Sequence, residues 1–202
     1  MIKKIWNEWN KNKSPKYPNE EVIRFTFRNF NSEQRKKSAA LDFGCGSGVH
    51  TKFLAKEGFK VSAIDTSEEG IKNTLSQMST ENFSYNTIQL ASVTEKIFEN
   101  NIFEYIISIG VFECIDPSEQ KKALENLHRM LKKGGKALLM FAAKGDSRFE
   151  TTNNLNLYAY SHNKVKNLFK TLNWQEVNID KNITTFNNQS SMYFDWLITV
   201  IK

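Results

Sequence analysis

Short apolar runs alternate with segments of helical spacing from Ser38 onward, which predicts a succession of strands and helices. The run at 137–143 is apolar throughout, as a strand buried on both faces of a parallel sheet requires. Strands and helices that alternate with tight turns favour a doubly wound α/β sheet with right-handed crossovers. The predicted strands are 39–43, 60–64, 85–90, 103–109 and 137–143, and the predicted helices are 51–56, 67–77 and 118–131.

The last part of the chain has a different order. A helix predicted at 161–172 precedes strand-like runs at 174–179 and 192–201, and only a loop separates these two runs. Strands joined without a crossover helix pair in antiparallel orientation. The sequence therefore predicts a seven-stranded, mostly parallel sheet whose last strand is antiparallel. Gly134 and Gly135 are expected to end the helix that precedes the fifth strand.

Residues 1–37 precede the first strand and are polar and permissive for helix formation. Between Glu20 and Phe30 the apolar side chains share one helical face, which predicts a helix there. We therefore expect a helical N-terminal arm at 1–37 and a single domain at 38–202. The arm either closes over a ligand as a lid, with Trp6 and Trp9 as part of it, or covers the sheet edge as packing.

The chain has 202 residues, which suffice for one α/β domain and are too few for two ordinary ones. Its longest apolar run, 137–143, is far shorter than the roughly 18 residues that a membrane helix needs, so no membrane span is expected. Cys45 and Cys114 make neither a disulfide framework nor a metal cluster. With no apolar stretch behind the N-terminus, these features predict a cytoplasmic protein without a metal site.

The net charge of +6 raises the question of a nucleic-acid partner. The basic residues are 23 Lys and 5 Arg, and they are scattered in pairs such as Lys121 and Lys122. Arg is the residue that bidentate phosphate and guanine contacts use most. The distribution therefore favours a solvated surface and makes a nucleic-acid partner unlikely.

The segment Leu41-Asp42-Phe43-Gly44-Cys45-Gly46-Ser47-Gly48 directly follows the first strand and precedes a helix. Glycines at alternate positions leave the main chain bare, so that a ligand can lie against it close to the N–H groups of the next helix. The dinucleotide pattern G-x-G-x-x-G would need its third glycine at Val49. The spacing therefore favours a ligand without a pyrophosphate and places a nicotinamide oxidoreductase last among the alternatives.

Asp65 ends the second predicted strand, 17 residues after Gly48. A carboxylate at this place accepts hydrogen bonds from both ribose hydroxyls of an adenosine. The glycine loop and the acid together indicate an adenosyl ligand more strongly than either does alone.

These residues give the chain a resemblance to the class I S-adenosylmethionine-dependent methyltransferases. The resemblance is carried by 41–48 and 58–67, and later by 103–108 and 131–135, and it covers about residues 38–143 in register. The family's fold is a seven-stranded sheet of the kind predicted above. The arm, with Tyr17-Pro18-Asn19-Glu20, resembles that of small bacterial methylases that modify sugars or other surface-polysaccharide precursors.

The resemblance implies S-adenosylmethionine as the cofactor. In the family an acid after the third strand often contacts the adenine amine, and this chain has Ser92 there. Asp42 is expected to orient the loop or to meet the cofactor's amino group. The implied cofactor contacts are Asp42, Gly44, Cys45 and Gly46 at the methionine part, Asp65 at the ribose, Thr66, Ser92 and Val93 at the adenine, Ile109 and Gly110 at the sulfonium and methyl group, Arg24 near the carboxylate, and Tyr17 near the reacting centre.

Methyl transfer from a sulfonium needs alignment and exclusion of water more than acid–base machinery, so the acceptor leaves few marks on the sequence. Residues 110–117 lack the Asn- or Asp-Pro-Pro-aromatic motif of methylases that act on base amines, and no His adjoins Cys114 as in many small-molecule members. The long connection 144–161 leaves the ligand end of the sheet, so we expect acceptor contacts there. The candidate catalytic residues are Tyr17, Tyr158 and His162.

The sequence thus favours a methyltransferase acting on a small polar metabolite, at oxygen, with a sugar or related surface-polysaccharide precursor as the acceptor. Two alternatives stay open. An RNA or protein methyltransferase is supported by the net charge of +6, and a non-catalytic S-adenosylmethionine-binding or scaffold protein is suggested by the missing base. The sequence leaves open whether the protein is a monomer or a homodimer.

Overall fold

The computed structural model describes residues 2–12, 15–151, 155–186 and 191–202. Within these ranges the strands are β1 Ala39–Phe43, β2 Lys60–Asp65, β3 Thr87–Leu90, β4 Phe103–Ile109, β5 Leu131–Ala142, β6 Glu176–Phe186 and β7 Ser191–Ile201. They form one seven-stranded sheet in the order β3-β2-β1-β4-β5-β7-β6. Strands β1 to β5 are parallel, and β7 pairs antiparallel with both β5 and β6. The predicted sheet and its antiparallel last strand are confirmed.

Helices cover both faces of this sheet. They are α1 Ile2–Asn12, α2 Glu20–Asn29, α3 Ser32–Lys37, α4 Val49–Lys56, α5 Glu68–Thr80, α6 Gln120–Met130, α7 Arg148–Thr151 and α8 His162–Phe169. One apolar cluster joins α2 and α4 to β1, β2, β4 and β5, and a larger cluster joins α6 and α8 to β1, β4, β5 and β7. No helix in the described ranges has the length and apolar character needed to cross a bilayer.

The strand order reverses direction between β1 and β4. The chain leaves β1 toward the β3 edge and returns to the other side of β1 at β4. The loops that follow β1 and β4 therefore diverge, and they leave a crevice between them at the carboxyl edge of the sheet. The glycine loop follows β1 and Gly110 follows β4, so both lie at this reversal point.

Polar side chains cap the helices at this edge. Helix α5 begins after Ser67, whose hydroxyl accepts a hydrogen bond from the N–H of Gly70 at 3.0 Å. Ser67, the first residue of the predicted helix 67–77, is thus the cap of α5. Helix α4 begins after Gly48, which offers no side chain for this purpose. The first turn of α4 is instead held by a side chain from β1, described below.

The boundary between α6 and β5 differs from the prediction. Helix α6 ends at Met130 and the strand begins at once at Leu131, before the two glycines that were expected to end the helix. The reason is a long-range pairing: the N–H of Gly134 donates to the carbonyl oxygen of Lys202, and the N–H of Lys202 donates to that of Gly135 at 3.1 Å. The last residue, Lys202, thus pairs with both glycines through the main chain.

The expected N-terminal arm consists of α1, α2 and α3. Helix α2 packs on the sheet through Val22 and Phe30, and the Thr26 hydroxyl lies 3.3 Å from the hydroxyl of the buried Tyr105. Helix α1 instead lies along α5, beside the carboxyl edge. The arm therefore has a part that covers a sheet face and a part that adjoins the glycine loop.

Candidate active site

Asp65, at the end of β2, is joined to the glycine loop by hydrogen bonds. Its Oδ2 accepts from the N–H of Gly46 at 2.8 Å, and its Oδ1 accepts from the N–H of Ser67 at 2.7 Å. A carboxylate has about four acceptor positions, so both oxygens retain the capacity to accept further bonds. The structure thus brings together the loop and the acid that the sequence singled out.

The electrostatics of Asp65 reflect two opposing effects. Partial burial raises the pKa of the carboxyl, and the backbone N–H groups of Ser67, Gly46 and Thr66 act against this rise because they bind the charged form. Hydrogen-bond donors that point at the carboxylate also fix its orientation. Asp65 is therefore held in one orientation, at the place where the resemblance implies the ribose.

Two glycines of the loop are required by close packing. A Cβ atom on Gly48, whose φ is +83°, would lie 2.7 Å from the Cα atom of Thr74 in α5. A Cβ atom on Gly44 would lie 2.4 Å from Cγ2 of Val111, in the segment after β4. Real Cβ contacts are not this short, so the loop can approach its neighbours only because these side chains are missing.

Two other glycines face open space. A Cβ atom on Gly46 would meet only Oδ1 of Asn10, at 3.4 Å, and one on Gly110 would meet only Oε1 of Glu113, at 3.9 Å. The main chain is therefore bare at the two places where the resemblance puts the methionine part and the methyl group. With Asp65 hydrogen-bonded to Gly46, these residues fit S-adenosylmethionine.

Asp42 of β1 holds the start of the helix that follows the glycine loop. Its buried carboxyl accepts a hydrogen bond from the hydroxyl of Thr51 at 2.7 Å and so holds the first turn of α4. Burial raises the pKa of Asp42 to about 7, against the effect of the Thr51 hydrogen bond. This placement supports the orienting role expected for Asp42 and not a contact with the cofactor's amino group.

Cys45 points away from the crevice. Its Sγ lies 3.6 Å from the hydroxyl of Thr74, and burial raises the pKa of the thiol well above its usual value. The side chain is thus packing between the loop and α5, as a buried neutral thiol is expected to be.

The predicted adenine contacts divide between the crevice edge and the core. The N–H of Ala91 donates to the carbonyl oxygen of Asp65 at 2.9 Å, which places the residues after β3 next to Asp65. Ser92 follows, and its hydroxyl lies 2.9 Å from that of Thr94. Val93 is buried in the larger apolar cluster. Thr66 stays partly exposed beside Asp65, so it and Ser92 are the polar groups available at this edge.

Helix α1 contacts the residues next to the glycine loop through two asparagines. Oδ1 of Asn7 accepts a hydrogen bond from the Ser67 hydroxyl at 2.8 Å, and the carbonyl oxygen of Asn10 accepts one from Asn73 at 2.9 Å. Asn10 is buried there. Sequence reasoning missed both residues, because an asparagine in a polar helix carries no signal of a long-range partner.

Of the two arm residues expected at the cofactor, the structure brings neither into contact with the loop. Tyr17 is 82% exposed, although Pro15, two residues earlier, accepts a hydrogen bond from the Ser47 hydroxyl at 3.3 Å. The guanidinium of Arg24 is paired with Glu20 and Glu21 on its own helix. Arg24 lines a groove of about 310 Å³ between α2 and the strands β5, β6 and β7.

The remaining candidates lie at the carboxyl edge of the sheet or behind it. Tyr158 adjoins the segment after β4: its N–H donates to the Glu113 carbonyl oxygen at 2.7 Å, and its hydroxyl donates to Asp116 at 3.3 Å. His162 begins α8 and stacks on the ring of Trp196, with centroids 5.6 Å apart. Ile109 packs against the cluster beneath α2. Of the catalytic candidates, Tyr158 is therefore the one that contacts the segment directly after Gly110, through Glu113.

Sequence reasoning also missed a polar cluster beyond β5. Arg148 lies between Asp146 and Asp195 and pairs with both, and the two carboxylates are buried. Glu113, a third acid, is buried next to this cluster. Asp146 and Arg148 lie within the connection 144–161 and Glu113 lies within residues 110–117, and the sequence singled out none of the three.

His50, the second residue of α4, ties the arm to this helix. Its ring is buried, and Nε2 accepts a hydrogen bond from the N–H of Asn19, the cap of α2, at 3.1 Å. An acceptor nitrogen carries no proton, so the ring is neutral. Burial lowers the pKa of His50 to about 4.

This burial predicts a loss of stability in acid. Below pH 6.5 the unfolded chain protonates His50 and the folded chain does not, so the free energy of unfolding falls as the pH drops toward 4. Between pH 7 and pH 5 this loss is about 2 kcal/mol. His50→Gln retains an acceptor and removes the titration. Denaturant unfolding of both proteins at the two pH values measures it, and equal pH dependence would contradict a neutral buried ring.

Comparison with known proteins agrees with this geometry. Residues 40–135 match the family of methyltransferase domains. The ubiquinone biosynthesis O-methyltransferase of Rickettsia akari is 30% identical over 103 residues, and the match spans 51% of this chain and 39% of that relative. The chain therefore corresponds to about two fifths of that relative's length.

Two solved structures share the fold over the whole chain. One, described as "Conversion of a Disulfide Bond into a Thioacetal Group during Echinomycin Biosynthesis", has a TM-score of 0.76 at 15% identity and covers 100% of this chain and 93% of its own. The N-methyltransferase NodS of Bradyrhizobium japonicum, in complex with S-adenosylhomocysteine, has a TM-score of 0.68 at 16% identity and covers 100% and 98%. At these identities the likeness shows the fold alone.

The fold, the bare glycine loop and the acid at the end of β2 together form the arrangement by which the sequence resembles the class I S-adenosylmethionine-dependent methyltransferases. Residues 40–135 are similar to the methyltransferase domain family, which agrees with S-adenosylmethionine as the expected cofactor.

Proposed function

We propose that the protein transfers the methyl group of S-adenosylmethionine to an oxygen of a small polar molecule. The observation that carries the proposal is the bare main chain at Gly46, whose N–H donates to the Asp65 carboxylate, together with the bare main chain at Gly110 on the other side of the strand reversal. S-Adenosylmethionine supplies a methyl group on a positively charged sulfur, and the protein's contribution is to align the acceptor with it.

The side chains around the segment after β4 support a hydroxylated acceptor. Asp116 and Tyr158 lie at the surface there and offer a carboxylate and a phenol. Such groups bind hydroxyls by hydrogen bonds and give orientation. A sugar or a related surface-polysaccharide precursor has this chemistry, and we take it as the substrate class.

The relatives differ in the atom that their names give as methylated. The Rickettsia akari relative is an O-methyltransferase, and NodS is an N-methyltransferase. We therefore base the proposal of oxygen as the methylated atom on the sequence of this chain. Residues 110–117 carry no Asn- or Asp-Pro-Pro-aromatic motif of the kind used for base amines.

An RNA or a protein acceptor finds less support. Many of the described basic side chains are paired with carboxylates of the same chain, which reduces the field that a polyanion would encounter. These residues are Arg24, Arg35, Lys36, Lys52, Lys72, Lys121, Lys132 and Arg148. We further propose a reducing, cytoplasmic setting, since both Cys45 and Cys114 are free thiols.

Transfer of a labelled methyl group tests this function. The protein is incubated with methyl-tritiated S-adenosylmethionine and, in separate arms, nucleotide sugars with other small polar metabolites, total RNA, and protein. We expect label in the small-molecule arm at a site that resists acid treatment able to cleave esters. Label in RNA or in protein would contradict a small-molecule acceptor and identify that macromolecule as the acceptor. If no arm is labelled although S-adenosylhomocysteine binds, the protein is a non-catalytic binding protein.

A further inference from the structure

Glu113 is a buried acid whose carboxyl is only partly satisfied. It lies in the short 3₁₀ turn Phe112–Cys114 after β4 and is 5% exposed. Its Oε1 accepts a long hydrogen bond of 3.4 Å from the N–H of Ala142. Its Oε2 is buried and has no hydrogen-bond partner among the described residues. Native proteins rarely leave a buried polar atom unpaired without a functional reason.

The charged groups around Glu113 lie on α7, on β7 and in the connection before α7. Arg148 of α7 favours its ionised form, but this guanidinium is already paired with Asp146 and with Asp195 of β7. Asp195 in turn disfavours ionisation of Glu113 by repulsion. The other titratable neighbours, Cys114 and Tyr160, are neutral groups whose pKa values are raised. The cluster therefore has more carboxyl groups than positive charges.

The pKa of Glu113 follows from this environment. Burial is the main cause of its rise to about 7. Near neutral pH the carboxyl is thus divided between its protonated and its ionised form. A positive charge brought close to it would favour ionisation, and a neutral group would not.

The position of Glu113 relative to Gly110 tells where such a charge would act. Oε1 of Glu113 lies 3.9 Å from the position of a Cβ atom on Gly110, and it is the nearest described atom outside residues 109–111. Gly110 is one of the two bare main-chain points of the crevice, and the family resemblance places the sulfonium beside it. The carboxyl therefore stands directly behind the part of the site that holds the cofactor's positive sulfur.

We propose that Glu113 responds to charge at Gly110. Its carboxyl loses its proton to the solvent when the cationic cofactor binds, and it keeps the proton when the neutral product binds. The residue thereby makes the site prefer S-adenosylmethionine to S-adenosylhomocysteine, which limits inhibition by the product. This role rests on the cofactor assignment and is independent of the identity of the acceptor.

Calorimetric titration tests the proposal without an acceptor. S-Adenosylmethionine and S-adenosylhomocysteine are titrated at pH 6, 7 and 8 in buffers of different ionisation enthalpy, which reports the protons released on binding. Because the ligands carry ionisable groups of their own, the difference between wild type and Glu113→Gln is the quantity of interest. Glu119→Gln, at an exposed glutamate six residues further on, is the matched control.

For S-adenosylmethionine at pH 7 we expect the wild type to release about half a proton more than Glu113→Gln. Between pH 6 and pH 8 the affinity of the wild type for S-adenosylmethionine should rise about five- to tenfold more than the affinity of Glu113→Gln does. For S-adenosylhomocysteine the two proteins should behave alike, so the preference for the cationic ligand at pH 8 falls about five- to tenfold in the variant. Glu119→Gln should follow the wild type.

Three outcomes would overturn the proposal. The proposal is contradicted, even if the variant does not fold, when the extra protons that the wild type releases with S-adenosylmethionine are no more than the two ligands' own ionisable groups account for. A folded Glu113→Gln protein with an unchanged, pH-dependent preference contradicts it as well. Failure of the wild type to bind either ligand would overturn the cofactor assignment and with it the role of Glu113, and this result differs from the other two.

Discussion

Asp65→Asn is expected to weaken the binding of S-adenosylhomocysteine by about a hundredfold, or about 3 kcal/mol, since hydrogen bonds to a carboxylate are roughly twice as strong as neutral ones. An amide also presents an NH₂ group where a carboxylate oxygen now accepts from the N–H of Gly46 or of Ser67. One backbone donor is then left opposite another donor, which disturbs the loop in addition to the ribose contact. Calorimetric titration measures the loss.

The control for this substitution is Glu68→Gln, which removes one negative charge from an exposed residue three positions away. Its affinity should match that of the wild type. Thermal unfolding of Asp65→Asn shows whether the fold has been kept. A folded variant that binds S-adenosylhomocysteine as tightly as the wild type would contradict the assignment of Asp65 as the ribose acid.

The second large effect concerns the packing of the glycine loop. Gly48→Ala places a Cβ atom 2.5 Å from the Thr74 hydroxyl and 2.7 Å from the Thr74 Cα atom, at a φ of +83° that alanine tolerates poorly. Because the second contact is with backbone, a change of rotamer cannot relieve it. We expect the free energy of unfolding to fall by about 3 kcal/mol or more, from backbone strain and overpacking together. Urea denaturation measures this loss.

Gly134→Ala separates the two causes. Gly134 has a comparable φ of +75°, but a Cβ atom there would meet no atom within 4 Å. This variant should lose only the cost of the backbone conformation, about 1 kcal/mol. An equal loss in the two variants would show that the close approach between the loop and α5 does not constrain residue 48.

The parts of the site that sequence reasoning predicted are those encoded by neighbouring residues. The strand, glycine loop and helix at 39–56 form one continuous segment, and Ser67 caps the helix that directly follows it. Asp65 ends a strand whose register beside β1 is fixed by the short crossover between them. Local spacing and the known geometry of such crossovers are sufficient to bring the loop and the acid together.

The parts that it did not predict depend on partners far away in the chain. Gly134 suggests a helix end until it is seen to pair with Lys202. Asn7 is an ordinary polar residue until Ser67 donates to it, and Arg148 gains its meaning from Asp195. Arg24 illustrates the opposite case, because acids one turn away on its own helix satisfy it locally. Without the three-dimensional contacts, none of these partners has a distinguishing pattern.

Ser67 joins three structures that the sequence presents separately. Its N–H holds Asp65, its hydroxyl accepts from Gly70 at the start of α5, and the same hydroxyl donates to Asn7 of α1. The packing of α1 against Ser67 therefore also stabilises the orientation of the Asp65 carboxylate. Thermodynamic reciprocity then requires that nucleoside occupancy strengthen the seating of the first helix by the same factor by which that seating strengthens occupancy.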